Sequence, residues 1–238
     1  MSQVSLPGAD FKVGFRYLSS KGAKLKAILW DNDGVLVDTE KLYFQACRDE
    51  LAARGIRIGE AEFIATFLKS SKGIRAFVGD LDEAEFEALR TRRNARYSAL
   101  LHGGVEPIAG VEEALKALCG KVRMGIVTSS RGDHFELIHA TTGLLPYFDF
   151  VLVREDYAAS KPDPEPYLMA LERMGLSADE CLVVEDSERG LQAAVSAGIR
   201  CAVIPQGLTQ TSDFSQAYAV LSDLSELVLL ALDLIEEE

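Results

Sequence analysis

Ala27-Ile28-Leu29-Trp30-Asp31-Asn32-Asp33-Gly34-Val35-Leu36-Val37-Asp38-Thr39 is the stretch on which the reading of this chain turns. An apolar run stops at two aspartates spaced i, i+2. A glycine follows, then a second short apolar run. The pattern predicts a buried strand that delivers carboxylates to its C-terminal end, where open α/β sheets place their ligands. Two carboxylates aimed the same way repel each other, so a cation belongs between them. A hard divalent cation such as Mg²⁺ suits an oxygen-ligand set.

Outward from this stretch the chain alternates between strand and helix signals. A strand is predicted over 26–30. Leu42, Ala46, Leu51 and Ala52 give a helical period over 40–54, which Gly55 stops. Further helices are predicted near 58–68, 72–78 and 82–101, with Asp82 as N-cap and Glu85 three residues on. No convincing strand lies between Thr39 and His102. Gly103-Gly104 and the stretch Pro107 to Gly110 mark the way out of this helical insert. Helices over 111–118, 133–142, 164–174, 188–197 and 223–235 then alternate with strands over 122–127, 148–153, 181–184, 200–204 and 218–221. Such alternation implies a parallel sheet covered on both faces. The expected fold is α/β: a doubly wound, Rossmann-like core of residues 25–39 and 105–238. A helical cap, residues 40–104, is inserted after the first strand. The crossings near 35–39 and 103–110 would act as hinges, letting the cap close over the strand ends and exclude water.

Composition narrows the function classes. The 238 residues are 48% hydrophobic and 26% charged, enough for a substantial core. A net charge of −12 argues against nucleic acid or an anionic membrane as partner. No apolar run approaches the ~20 residues of a membrane span. Residues 1–24 carry Lys12, Arg16, Lys21 and Lys24 but lack the apolar segment of a secretory signal. They are read as a surface extension, and Glu236-Glu237-Glu238 as a solvated tail. Cys47, Cys119, Cys181 and Cys201 form no CxxC, and His102, His134 and His139 show no ligand spacing with them. Reduced, buried thiols in a cytoplasmic protein, monomeric or weakly dimeric, are therefore expected.

Four strand ends carry polar residues: Asp31 and Asp33; Thr128-Ser129-Ser130; Lys161 in Ser160-Lys161-Pro162; and Glu185-Asp186-Ser187. Each has an ordinary reading alone: a turn, a helix cap, a solvent-facing loop lysine, a second cap. Together they offer carboxylates, hydroxyls and one ammonium, a set suited to a phosphoryl group and Mg²⁺. From about Lys26 to the C-terminus, these four motifs in order resemble the haloacid dehalogenase superfamily. The cap position is similar to its helical-cap subfamily, which includes β-phosphoglucomutase, phosphoglycolate phosphatase and sugar-phosphate phosphatases. The resemblance implies that Asp31 is the nucleophile and Asp33 the general acid/base. It further implies Mg²⁺ bound by Asp31, the Asp33 carbonyl and Asp186, with Glu185 nearby. Thr128 and Lys161 would hold the phosphoryl oxygens, helped by donors around Asn32, Gly34, Ser129 and Ser130.

Presence of both Asp33 and Asp186 favours phosphoryl chemistry over carbon–halogen cleavage, since true dehalogenases work without the second aspartate and without Mg²⁺. Specificity in this subfamily lies in the cap. Candidates there are Thr39, Lys69, Ser70, Ser71, Lys72, Arg75, Arg92, Arg93 and Arg96. Lys69 and Lys72 suggest a substrate-facing loop, whereas Arg92, Arg93 and Arg96 are read as an exposed helix face. In the mutase branch a histidine follows the threonine matching Thr39 by four residues; here that position is Tyr43. The expectation is a Mg²⁺-dependent phosphatase for a small phosphorylated metabolite, a sugar phosphate, acting through an aspartyl-phosphate. A hexose-phosphate mutase is the alternative, and a non-catalytic phosphate-binding regulator a more distant one.

Overall fold

A computed structural model describes residues 23–69 and 72–236 of the chain. Most of the N-terminal extension, Ser70, Ser71 and the last two residues lie outside the described residues. Six parallel strands form one sheet in the order β3-β2-β1-β4-β5-β6. They are β1 (Ala27–Trp30), β2 (Arg123–Val127), β3 (Phe150–Leu152), β4 (Cys181–Glu185), β5 (Arg200–Val203) and β6 (Ala219–Val220). β1 lies between β2 and β4, with Trp30 level with Ile126 and Val184. The sheet order reverses around β1, so its carboxyl end opens into the crevice where such sheets bind ligands.

All four β1 side chains are buried, and the two-residue period divides them between two cores. Ile28 and Trp30 join Met124, Ile126, Leu182 and Val184 on one face. There they meet α5 (Val111–Leu118), α6 (Gly132–His139) and α9 (Leu224–Glu236). Ala27 and Leu29 join Val127, Cys181 and Val183 on the other, against α7 (Glu165–Met174) and α8 (Glu188–Ser196). Strands apolar on both faces can only sit between two helical layers, which is the predicted doubly wound arrangement.

Between β1 and α5 the chain is helical: α1 (Glu40–Ala52), α2 (Glu60–Phe63), α3 (Arg75–Val78) and α4 (Glu83–Leu101). A third cluster of Cys47, Leu51, Phe63, Phe67 and Leu89 forms within this segment. The two chain crossings run side by side, with the Ile108 N–H donating to the Leu36 carbonyl at 2.9 Å. Asp82 caps α4 as predicted, its carboxylate accepting the Glu85 N–H at 2.8 Å.

Element ends shift in places. The helix predicted over 58–68 becomes α2 followed by a wider turn, Ile64–Leu68. There Thr66 returns its hydroxyl to the Glu62 carbonyl at 2.7 Å, a back-bond that competes with the helical ladder. The helix predicted to Thr142 stops at His139, because the Thr142 hydroxyl is engaged by His139 Nδ1 at 2.9 Å. Cys47, Cys181 and Cys201 are buried free thiols, but Cys119 is exposed in the turn after α5, against expectation. Among the described residues, no helix is long and apolar enough to cross a membrane.

Candidate active site

The end of β1 is a tight loop. The Asn32 carbonyl takes the N–H groups of Val35, Leu36 and Val37 at 3.3, 2.8 and 3.2 Å. The Asp31 N–H still belongs to the sheet, donating to the Val184 carbonyl at 2.9 Å. Gly34 turns the chain with φ +85°, and a Cβ there would lie 2.2 Å from an Asp186 carboxylate oxygen. At the far side, a Cβ on Gly190 would meet the Glu185 carboxylate at 1.9 Å. Two glycines therefore make the room in which the β4 carboxylates approach β1.

Asp31, Glu185 and Asp186 are all buried, and one ligand atom from each falls within 4.8 Å of the others. Lys161 is the ammonium among them, itself only 2% exposed. Its Nζ donates to Asp31 Oδ1 at 2.8 Å, Glu185 Oε1 at 2.7 Å and the Val127 carbonyl at 2.9 Å, using all three protons. The ordinary reading of this lysine, a solvent-facing loop residue, is thus excluded. Glu185 also accepts the Tyr167 hydroxyl at 2.7 Å and the Ser187 hydroxyl at 3.1 Å. Ser187 in turn caps α8 through the Gly190 N–H.

The charges do not balance. Three carboxylates face one ammonium, an excess of two negative charges in a buried site. Burial, then the charge of Glu185, push Asp31 up to about 7 despite Lys161. Burial and the Glu40 carboxylate push Asp186 well above the usual range. Burial also pushes Glu185 upward, but Lys161 outweighs it and holds that group below its ordinary value. Lys161 is raised despite its burial, because Asp31 and Glu185 favour its charged form. A divalent cation would supply the missing charge, and carboxylate oxygens are its natural donors, so the residues fit Mg²⁺.

Asp33 sits beside this cluster and is held from several sides. One oxygen accepts from the Thr39 hydroxyl. The other accepts from Ser130 Oγ at 2.7 Å, Thr128 Oγ1 at 3.3 Å and Asn32 Nδ2 at 3.3 Å. Ser129 is not among these donors. Of the four predicted strand ends, all converge here.

The insert residues divide. Thr39 reaches Asp33, and Lys72 lines a cavity with Tyr43 and Arg93. Lys69 instead extends toward Glu188, its Nζ 3.9 Å from that carboxylate. The exposed face expected for Arg92, Arg93 and Arg96 forms at Arg92 and Arg96 but fails at Arg93. Arg92 and Arg96 bind the two oxygens of the buried Glu50 at 2.8 and 3.0 Å. Arg93 is buried, donating to the Tyr43 hydroxyl, with its guanidinium 4.8 Å from the Tyr43 ring centre.

Sequence reading missed several neighbours of the site. Glu40 follows Thr39 directly, and burial, then Asp33, push it up to about 7. Tyr167 lies six residues beyond Lys161, one face of α7 carrying it inward. His139 packs on the loop itself: its Nε2 is 2.7 Å from Asn32 Oδ1. The apolar stripe Leu89, Tyr97, Leu101 at four-residue spacing runs through Arg93 and signals its burial.

Comparison with known proteins places this geometry among relatives. A family model described as haloacid dehalogenase-like hydrolase matches residues 28–204. Protein CbbY of Rhodobacter capsulatus is 30% identical over 215 residues, covering 85% of this chain and 95% of that protein. Fructose-1-phosphate phosphatase YqaB of Escherichia coli is 30% identical over 174 residues, covering 72% and 92%. The crystal structure of CbbY from Rhodobacter sphaeroides in complex with phosphate superimposes with a TM-score of 0.77 at 26% identity, covering 88% of this chain and 99% of that one.

Proposed function

The chain belongs to the haloacid dehalogenase-like hydrolases, and from that premise we propose that it is a Mg²⁺-dependent phosphatase acting on a small phosphorylated metabolite, a sugar phosphate, through an aspartyl-phosphate. The observation that carries the reading is the buried, charge-deficient cluster of Asp31, Glu185, Asp186 and Lys161 beside a hydrogen-bonded Asp33. Relatives named as sugar-phosphate phosphatases support the substrate class.

Asp31, Asp186 and the Asp33 carbonyl would hold the metal, with Glu185 behind them. Bound there, Mg²⁺ would neutralise the phosphoryl oxygens and the excess charge of the carboxylates. Lys161 fixes one Asp31 oxygen, which leaves the other to attack phosphorus. The new bond joins Asp31 to phosphorus as the bond to the sugar oxygen breaks. Asp33 gives its proton to that leaving oxygen, then takes one from water as water attacks the aspartyl-phosphate and frees phosphate. Thr39, Ser130 and Asn32 keep the Asp33 carboxylate in one orientation through both transfers. Thr128, buried at the end of β2, supports the phosphoryl site. Residues 40–104 act as the cap that closes over this site. The Tyr43 hydroxyl is committed to Arg93, which favours hydrolysis over the mutase alternative.

The test is a panel of sugar phosphates, including β-glucose 1-phosphate with and without a bisphosphate activator, in Mg²⁺ and in chelator. Release of phosphate that needs Mg²⁺ and disappears in Asp31→Asn is expected. Full activity in Asp31→Asn would sink the mechanism, and net isomer formation would favour the mutase.

A further inference from the structure

A chain of hydrogen bonds runs from the turn after α6 to Asp33. The Leu144 N–H donates to Thr142 Oγ1 at 3.4 Å. Thr142 Oγ1 lies 2.9 Å from His139 Nδ1, and His139 Nε2 lies 2.7 Å from Asn32 Oδ1. Asn32 Nδ2 then donates to Asp33 Oδ2 at 3.3 Å. The two ends fix the direction of everything between them, because a backbone N–H only donates and a carboxylate only accepts. Thr142 therefore receives the Leu144 N–H and gives its own proton to Nδ1. Nε2 carries the ring proton and gives it to the Asn32 oxygen.

The middle of the chain is set in apolar surroundings. Asn32 follows the wholly apolar β1, and His139 follows Ile138 on a helix whose Phe135 and Ile138 belong to the core. Both polar residues are buried, and the His139 ring packs on Phe135 with 4.4 Å between ring centres. Two apolar residues would fill the same space without the cost of burying an amide and an imidazole. What the polar pair adds is a donor aimed at Asp33.

The other side chains that donate to Asp33 are the hydroxyls of Thr39, Thr128 and Ser130. A hydroxyl rotates about its C–O bond and can turn away to a phosphoryl oxygen. The Asn32 amide cannot. Reversed end for end, it would set its oxygen against the Asp33 carboxylate and its NH₂ against the His139 Nε2 proton. We propose that His139 is a positioning residue for the acid/base step, acting through Asn32; this rests on the phosphatase reading above. It holds the Asn32 amide in the one orientation that keeps a donor on Asp33 Oδ2 while the leaving group departs. The ring itself neither gains nor loses a proton in the reaction.

The experiment compares kcat/KM for phenyl phosphate and p-nitrophenyl phosphate, with Mg²⁺ present, in wild type, His139→Leu, His139→Gln and Thr142→Val. The two esters share an aryl ring, but phenolate needs a proton from Asp33 far more than the less basic nitrophenolate does. His139→Leu should lower kcat/KM about tenfold for phenyl phosphate and less than about twofold for p-nitrophenyl phosphate. Thr142→Val should give a smaller loss with the same bias, and it keeps the test valid if His139→Leu fails to fold. His139→Gln should recover most of the loss, since its amide can donate in place of Nε2. Without turnover, ¹⁵N spectra of histidine-labelled protein should show His139 protonated on Nε2 and bare on Nδ1. Equal losses on both esters, no loss on either, or the opposite tautomer would overturn the positioning role. In those cases, Mg²⁺-dependent hydrolysis lost in Asp31→Asn would leave the phosphatase reading standing. Wild type that hydrolyses no phosphomonoester in Mg²⁺ would overturn that reading and this role with it.

Discussion

His139 offers a quantitative test of how the catalytic loop is supported. Asn32 Nδ2 donates to Asp33, so its Oδ1 faces His139 and accepts a proton carried on Nε2. Nδ1 is then the bare nitrogen and accepts the Thr142 hydroxyl at 2.9 Å. The ring is neutral in this network, and burial lowers its pKa from 6.5 to about 4. The last turn of α6 would favour a charged ring, but burial prevails. The unfolded chain therefore takes up the proton first as pH falls. Above 6.5 both states are neutral and His139 contributes nothing to the pH dependence. Between 6.5 and about 4 stability falls by ~1.4 kcal/mol per pH unit, and below that it levels off. The full loss is about 3 kcal/mol, of which about 2 kcal/mol has developed by pH 5. Urea unfolding at pH 7.5 and 5.0, in wild type and in the non-titrating His139→Gln, isolates this contribution, since every other titrating group is common to both. Wild type should lose about 2 kcal/mol more than the variant on acidification. Equal losses would refute the neutral, buried ring and the proton assignment built on it.

Gly190→Ala should drive the Glu185 carboxylate from its place, because the new methyl group would occupy its position. A fall in apparent Mg²⁺ affinity of about 10–100-fold is expected, read from activity against Mg²⁺ concentration; unchanged affinity would separate Glu185 from the metal site. Glu50→Gln keeps the shape but withdraws the charge shared by Arg92 and Arg96, which are themselves half in solvent. A loss of about 1–3 kcal/mol in urea unfolding is expected, and no loss would show that these pairs only decorate the helix surface.

The fold was legible because its strands are short apolar runs whose polar ends are local features of the sequence. Ala27 to Trp30 reads as buried without knowledge of its neighbours, and Asp31 and Asp33 follow in the next three residues. Lys161 was legible as a partner only through resemblance. Its own surroundings, Ser160 and Pro162, say nothing of the Glu185 carboxylate 2.7 Å from its Nζ. That contact depends on β4 lying next to β1, a fact of topology rather than of local pattern. The insert was harder still. Arg92, Arg93 and Arg96 are alike in chemistry, and only their rotation about α4 separates them. At 3.6 residues per turn, Arg92 and Arg96 share one side, while Arg93 falls in line with Leu89, Tyr97 and Leu101. A charge is normally kept off such a buried stripe. Reading charge as exposure therefore inverted the answer at the one position where helical phase and side-chain chemistry disagree. Packing settles the disagreement: Arg93 keeps its helical phase, is buried and meets the Tyr43 hydroxyl.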